Sequence, residues 1–250
     1  MSPRLSFALD TAVRAGRFTL AHFNTGLPFE LKRDATPVTE ADRGAERIIR
    51  GAIEAAYPWE AILGEEEGSS GSGDNRWVID PIDGTKSFIC GVPLYATLLS
   101  YEIGCEPVIG VAYFPALDEL LYAEKGEGAF WNGRQCRVSA RTSLEGAVVS
   151  SGSHASMEKH GRADGFRAVA DRTLATRTWT DAYGHALVAT GRIEAMVDPV
   201  VNHWDVSAMS LIVVESGGRF TDFAGVPGPH VEALSSNGLV HEELLEVFKR

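Results

Sequence analysis

Trp77-Val78-Ile79-Asp80-Pro81-Ile82-Asp83-Gly84-Thr85 carries the reading on which the rest of the chain is built. Apolar residues of β type run directly into two carboxylates three positions apart, and strand ends are where sites are commonly assembled on a rigid scaffold. Pro81 lacks an N–H and fixes its own φ, so Asp80 and Asp83 can turn toward one point with the Ile82 carbonyl between them. Two carboxylates and a carbonyl are oxygen donors throughout, the set that Mg2+, Ca2+ or Mn2+ prefers. Asp-Pro and Asp-Gly are equally the dipeptides of ordinary turns, and taken alone these residues read that way.

Working outward, further acids stand at the ends of other elements. The short β-type run at 61–63 ends in Gly64-Glu65-Glu66-Glu67, either a third acidic donor or a solvated loop. Asn202-His203-Trp204-Asp205 places an acid at the start of an apolar helix at 205–215, closed by Gly217-Gly218, where Asp205 also suits the helix macrodipole. Thr39-Glu40-Ala41-Asp42 has the form of a capping box; Ile48, Ile49, Ala52, Ile53 and Ala56 follow on one face, and Pro58 ends the helix. At about 5 Å and an effective dielectric near 20, each pair of carboxylates repels by roughly 3 kcal/mol, so convergence of these acids demands either a cation or protonation.

The remaining elements frame this set. Apolar spacings of three and four predict a helix over 5–23, followed by an exposed segment at 31–38 that contains Lys32 and Asp34. Residues 69–75, rich in Gly and Ser, read as a flexible loop. Long strands are predicted at 95–103 and 107–114, then shorter ones at 120–123, 129–131 and, after the Asn132-Gly133 turn, 135–138. Beyond Arg141-Thr142-Ser143 strands and helices alternate: strand 147–150, helix 157–170, helix around 186–190, strand 193–197, weak strands at 220–222 and 232–234, and a final helix at 242–249. The order predicts a layered α+β architecture of two interlocked halves, 1–140 and 141–250, within one unit.

Composition narrows the partners. With 34 acids against 23 bases the net charge is −11, which repels polyanions and argues against nucleic acid. Three cysteines, Cys90, Cys105 and Cys136, fit neither a disulfide framework nor a CxxC metal site and point to a reducing compartment. Arg4, Asp10, Arg14 and Arg17 interrupt the first stretch, and no run of 18 apolar residues occurs, so the expectation is a soluble cytoplasmic protein with no membrane partner.

Gly64-Glu65-Glu66, W-x-I-D-P-I-D-G-T at 77–85, and Trp204-Asp205 followed by Glu215-Ser216-Gly217-Gly218 together resemble the signatures of the inositol monophosphatase superfamily, in order and over nearly the whole chain. The resemblance implies an αβαβα sandwich of the inositol monophosphatase and sugar phosphatase type, and a homodimer. It implies that Glu65, Asp80, the Ile82 carbonyl, Asp83 and Asp205 hold two or three Mg2+ ions, with Mn2+ as an alternative and Glu66 as the neighbouring choice for Glu65. It also makes Thr85, Asp42 and Glu65 the catalytic set, Thr85 and Asp42 orienting and deprotonating the attacking water. Gly84, Thr85 and Lys86 would open a helix whose free amides face phosphate, where Lys86-Ser87 departs from the Thr-Asn usual in the inositol enzymes.

Within the superfamily, D-G-T-K-S-F at 83–88, Trp179-Thr180-Asp181-Ala182-Tyr183-Gly184 and Met196-Val197-Asp198-Pro199 look most like the histidinol-phosphate phosphatases. Two acids, Asp181 and Asp198, suit a cationic substrate such as L-histidinol phosphate better than a neutral polyol. Asn202 and His203 stand where they can contact its imidazole or phosphate, although His203 also reads as a partly buried histidine bonded to backbone and Asp181 as a helix N-cap. An inositol monophosphatase, a bisphosphate nucleotidase and a non-catalytic metal-binding member are the rival readings.

Overall fold

Ser2 and Pro3 specify the start of the first helix: Ser2 Oγ accepts from the Leu5 amide at 3.1 Å, and Pro3 opens the first turn, where its missing N–H costs nothing. The computed structural model describes residues 1–32 and 36–249, so Asp34 of the segment expected to be exposed lies outside the described residues. In chain order the first half comprises α1 (Pro3–Leu20), β1 (Phe29–Leu31), β2 (Pro37–Thr39), α2 (Glu40–Ala56), β3 (Ala61–Gly64), β4 (Gly68–Ser70), β5 (Arg76–Asp83), α3 (Thr85–Ile89), β6 (Ala96–Ile103), β7 (Glu106–Phe114), β8 (Glu119–Glu124), β9 (Ala129–Trp131) and β10 (Arg134–Gln135). There follow β11 (Val148–Ser151), α4 (His154–Lys159), α5 (Ala163–Ala170), β12 (Ala175–Arg177), α6 (Asp181–Ala189), β13 (Ala195–Asp198), α7 (His203–Glu215), β14 (Arg219–Thr221), β15 (Ala233–Ser236) and α8 (His241–Phe248).

Among the described residues β3 to β10 form an 8-stranded sheet in the order β10-β9-β8-β7-β6-β5-β3-β4, and β11 to β15 a 5-stranded sheet in the order β12-β11-β13-β15-β14. In the large sheet β3 and β5 run parallel and the other neighbours antiparallel. Strand alternation sorts the core into layers. On β6, Leu99 packs with Leu5, Ala12, Ile49 and Ile53 under α1 and α2, whereas Leu98 packs with Ala186 and Met209 of α6 and α7 on the opposite face. On β13, Met196 joins that middle layer, whereas Val197 faces Phe166, Leu245 and Phe248 of α5 and α8. The layers are therefore α, β, α, β, α, the order that the resemblance implied. Helix α7 is sandwiched between both sheets, and its residues 206–213 are buried on every side, as a helix at the centre of such a stack must be.

Three local expectations are corrected. The helix predicted over 157–170 is two, α4 and α5, because Gly161 adopts φ +70° and breaks it. Ser69 and Ser70 of the Gly/Ser stretch, with Gly68 before them, pair antiparallel with β3 as an edge strand. The strand after Asn132-Gly133 stops at Gln135, beyond which the Val138 amide bonds instead to the Ser216 carbonyl. No helix among the described residues is long and apolar enough to cross a membrane.

Candidate active site

Asp80 and Asp83 are three apart, so a regular strand would aim them at opposite faces. Opposite β6 the register shifts: Asp80 pairs with Leu98 and Asp83 with Ala96, so β5 spends three steps where β6 spends two. That bulge brings both carboxylates to one side. Pro81, which cannot donate to the ladder, sits inside it, its carbonyl accepting from Thr97 Oγ1 at 2.9 Å. Asp205 arrives from the first turn of α7, and one carboxylate oxygen from each of Asp80, Asp83 and Asp205 lies within 4.8 Å of the others.

Two of the three are held out of water, and Asp205 is half-buried. Asp80 and Asp83 are only 2% and 6% exposed, and Asp80 Oδ1 is buried with no hydrogen-bond partner. Asp83 Oδ2 accepts from the Ala182 amide at 2.7 Å, and Asp205 Oδ2 from the Asn202 amide at 2.7 Å. Burial, then the charges of Glu65, Asp83 and Asp205, push the Asp80 carboxyl well above the usual carboxylate range. Burial, then Asp181 and Asp205, do the same to Asp83, and burial with Glu65 and Asp181 carries Asp205 up to about 7 against the Asn202 donors. An all-oxygen cluster, mutually repelling and with one buried oxygen unpaired, is what a hard divalent cation would complete.

Glu65, Glu66 and Glu67 form the turn between β3 and β4. Lys32 reaches both of the first two, 2.8 Å from Glu65 Oε1 and 2.6 Å from Glu66 Oε1. Burial takes Glu66 up to about 7 against the pull of Lys32, and it is the Glu65 charge that acts on Asp80, Asp83 and Asp205.

Beyond Asp83 the chain turns through Gly84, at φ +79°, into the five-residue helix α3. Thr85 Oγ1 lies 3.0 Å from the Ile82 carbonyl and 3.3 Å from Asp42 Oδ1, so its one proton can be given to either. Asp42 does two jobs with two oxygens. Its Oδ2 closes the capping box of α2, accepting from the Thr39 amide at 2.7 Å and hydroxyl at 2.5 Å, while Oδ1 faces Thr85. Burial raises the Asp42 carboxyl, with those Thr39 donors opposing.

A cavity of about 360 Å3 opens beside the trio, lined by Asp83, Lys86, Asp181, His185, Asp198 and Asp205 among others. Asp181 is the first residue of α6, at φ +59°, and accepts from Thr180 Oγ1 at 2.6 Å; burial raises its carboxyl, with Thr180 and Lys86 opposing. Burial, then Asp181 and Asp205, push Asp198 well above the usual range.

Asn202 and His203 do not line this cavity. Asn202 is the exposed N-cap of α7, its amide and side chain both turned to Asp205. His203 Nε2 lies 2.6 Å from Glu102 Oε1 and 3.1 Å from Arg76 Nη2, in a polar knot under β5 and β6. Its neighbour in sequence suggested the pocket; the phase of the helix turns it elsewhere. Two other residues went unassigned to the site in the sequence. His185 lines the cavity with Nδ1 2.8 Å from Ser235 Oγ, its pKa pressed down to about 3 by burial. Lys32 gave only the weak signal of a cation in the segment before the Thr39 cap.

The chain matches the inositol monophosphatase family over residues 1–249. It is 40% identical to a histidinol-phosphatase of Streptomyces coelicolor, covering 97% of this chain and 94% of that protein, and 44% identical to one of Chlorobaculum parvum, covering 90% and 88%. Among solved structures it is similar to a Thermotoga maritima IMPase, with 37% identity, a TM-score of 0.92 and coverage of 99% of this chain and 97% of that one. By sequence and by fold, the chain belongs to the inositol monophosphatase family.

Proposed function

We propose that this phosphatase of the inositol monophosphatase family is a Mg2+-dependent phosphomonoesterase that hydrolyses L-histidinol phosphate to L-histidinol and phosphate in histidine biosynthesis. The observation that carries the reading is the pairing of the Asp80, Asp83 and Asp205 cluster with two further acids, Asp181 and Asp198, on the same cavity. Glu65, Asp80, the Ile82 carbonyl, Asp83 and Asp205 would hold Mg2+, with Mn2+ as a substitute. When bound, such ions neutralise phosphate charge, acidify water and stabilise a departing alkoxide.

The chain's own residues supply the rest. Thr85 takes the proton of the attacking water as its own proton passes to Asp42 Oδ1, and the water oxygen bonds to phosphorus as the bond to the ester oxygen breaks. The departing ester oxygen takes a proton from solvent water and leaves as the alcohol, and no phosphoenzyme forms. Gly84, Thr85 and Lys86 orient the phosphate oxygens through the opening amides of α3 and the Lys86 ammonium. Asp181 and Asp198 accept from the substrate ammonium and imidazole, a charge-assisted contact that a neutral polyol cannot return. The relatives named histidinol-phosphatase support this substrate, and the IMPase of comparable identity keeps inositol phosphates in the comparison. With the family reading goes a homodimer, and the cysteine pattern favours a cytoplasmic location.

A panel of L-histidinol phosphate, inositol 1-phosphate and a 3′,5′-bisphosphonucleoside with Mg2+ tests the assignment. The expected result is a kcat/KM for histidinol phosphate at least about 100-fold above the others, a discrimination of roughly 3 kcal/mol. Preference for inositol 1-phosphate rejects the substrate, and no turnover of any ester with any divalent ion rejects the enzyme.

A further inference from the structure

Helix α2 carries a buried ion pair that the reaction above does not use. Glu46 is 0% exposed and Arg50, one turn on, nearly so, with Arg50 Nε 2.8 Å from Glu46 Oε1. Both reach across to the turn between β3 and β4. Glu46 Oε2 accepts from the Glu66 amide at 2.8 Å and Oε1 from the Glu67 amide at 3.1 Å. Arg50 donates to Ser70 Oγ at 3.1 Å and to the Gly68 carbonyl. The contact is so close that a Cβ on Gly64 would stand 2.1 Å from Glu46 Oε1 and 2.7 Å from Arg50 Nη2, so a larger residue there would push the pair aside.

A buried ion pair is a poor source of stability compared with apolar residues of the same volume, which leaves specificity of placement as its use. Here both Glu46 oxygens accept from the main-chain amides that directly follow Glu65, and Arg50 holds Gly68 and Ser70 just beyond them. Asp42, which faces Thr85, lies four residues before Glu46 and therefore on the same side of α2. One rigid helix thus sets where the Glu65 turn stands relative to the Asp42–Thr85 pair.

We propose that Glu46 and Arg50 are positioning residues, a clamp that fixes the 65–67 turn on α2 so that the Glu65 carboxylate is held for the divalent cation. The proposal rests on the reading of Glu65 as a cation ligand. Removing the clamp loosens the ligand without touching the ester, so the loss falls on metal affinity and excess metal restores turnover.

The full-length protein, stripped with EDTA, is titrated with Mn2+ and free ion read by electron paramagnetic resonance; Mg2+ half-saturation and ester KM are measured alongside. Glu46→Gln is expected to weaken Mn2+ at least about tenfold, as loss of partners that orient metal ligands does elsewhere. Saturating Mg2+ is expected to restore kcat with KM for the ester unchanged. Wild-type Mn2+ affinity in E46Q, or lost turnover that no Mg2+ concentration restores, overturns the clamp. Should E46Q not fold, Arg50→Lys, which keeps the charge but not the fork, decides by the same titration: about threefold weaker Mn2+ supports the clamp, wild-type affinity rejects it. Glu65→Gln separates the two possible failures. Unchanged Mn2+ affinity in E65Q rejects Glu65 as a ligand, whereas weakening in E65Q with none in E46Q rejects the clamp alone.

Discussion

Asp80 and Asp83 owe their shared direction to one extra backbone step beside Pro81, and the cost of that arrangement is electrostatic. Without a cation, the two carboxylates and Asp205 crowd a largely buried volume where a pair of unit charges at about 5 Å repels by roughly 3 kcal/mol, and burial with that mutual repulsion raises the Asp80 carboxyl toward its neutral form. Replacing Asp80 by Asn removes one charge and gives the cluster an amide donor. The metal-free variant is expected to melt about 2–4 °C above metal-free wild type, a gain near 1 kcal/mol, and to lose most of the rise that Mg2+ induces. A lower melting temperature in EDTA would contradict the picture of a strained acidic cluster. At the far side of the cavity Asp181→Asn tests the cationic tail: KM for histidinol phosphate should rise about 10- to 100-fold, the worth of one charge-assisted bond, with glycerol phosphate little affected. Equal losses on both esters would place Asp181 in general architecture and not in recognition.

Helix α7 shows what an element adds that residue order does not reveal. His203 and Asp205 are two apart, hence about 200° apart around the helix, and cannot face one pocket. His203 instead shares its side with Ser207, and both reach the buried Glu102 carboxylate, at 2.6 and 2.7 Å, joined by Arg76 Nε at 2.7 Å. Burial opposes the charge of Glu102, yet these donors hold its carboxyl below the usual range. His203→Ala is therefore expected to destabilise the fold by about 1–3 kcal/mol in urea unfolding while ester KM stays within about twofold. A KM rise with unchanged stability would return His203 to the substrate. The same logic explains what the sequence made legible. Helix α2 was readable because its capping box and apolar stripe are local, and the acids at 80, 83 and 205 because each stands beside a strongly apolar run, following one at 77–79 and preceding one at 206–214. Strand β4 was not, since Gly68-Ser69-Ser70 has no apolar alternation and is a strand only because β3 offers it an edge. The bulge that aligns Asp80 with Asp83 and the Glu46 contacts to the 65–67 turn likewise arise from pairing across the fold, which local pattern does not encode.

At the scale of the molecule, a chain with a net charge of −11 concentrates acids at the junction of its two sheets, so folding and cation binding compete for the same protons. In the metal-free protein Asp205 titrates near 7 instead of 3.8, and Asp80 and Asp83 are raised in the same direction. The folded state then binds more protons than the unfolded chain between those values, so this contribution to stability is present at low pH and lost as pH rises through about 7. Cation binding needs the carboxylates ionised and gains over that interval. Buried His185 and His241 pull the other way. Their pKa values fall from 6.5 to about 3 and about 4, giving stability that is present above 6.5 and lost as pH falls toward those values. They lie outside the carboxylate trio, so their effect is common to the metal-free and metal-bound protein and cancels in the difference. The gap between melting temperatures in Mg2+ and in EDTA is therefore expected to widen steadily from about pH 5.5 to about pH 8, while each curve alone is blunted by the histidines. Scanning calorimetry of paired samples across that range measures it, and a gap that is flat or narrows with pH would mean that the raised carboxyls are not the groups the cation meets.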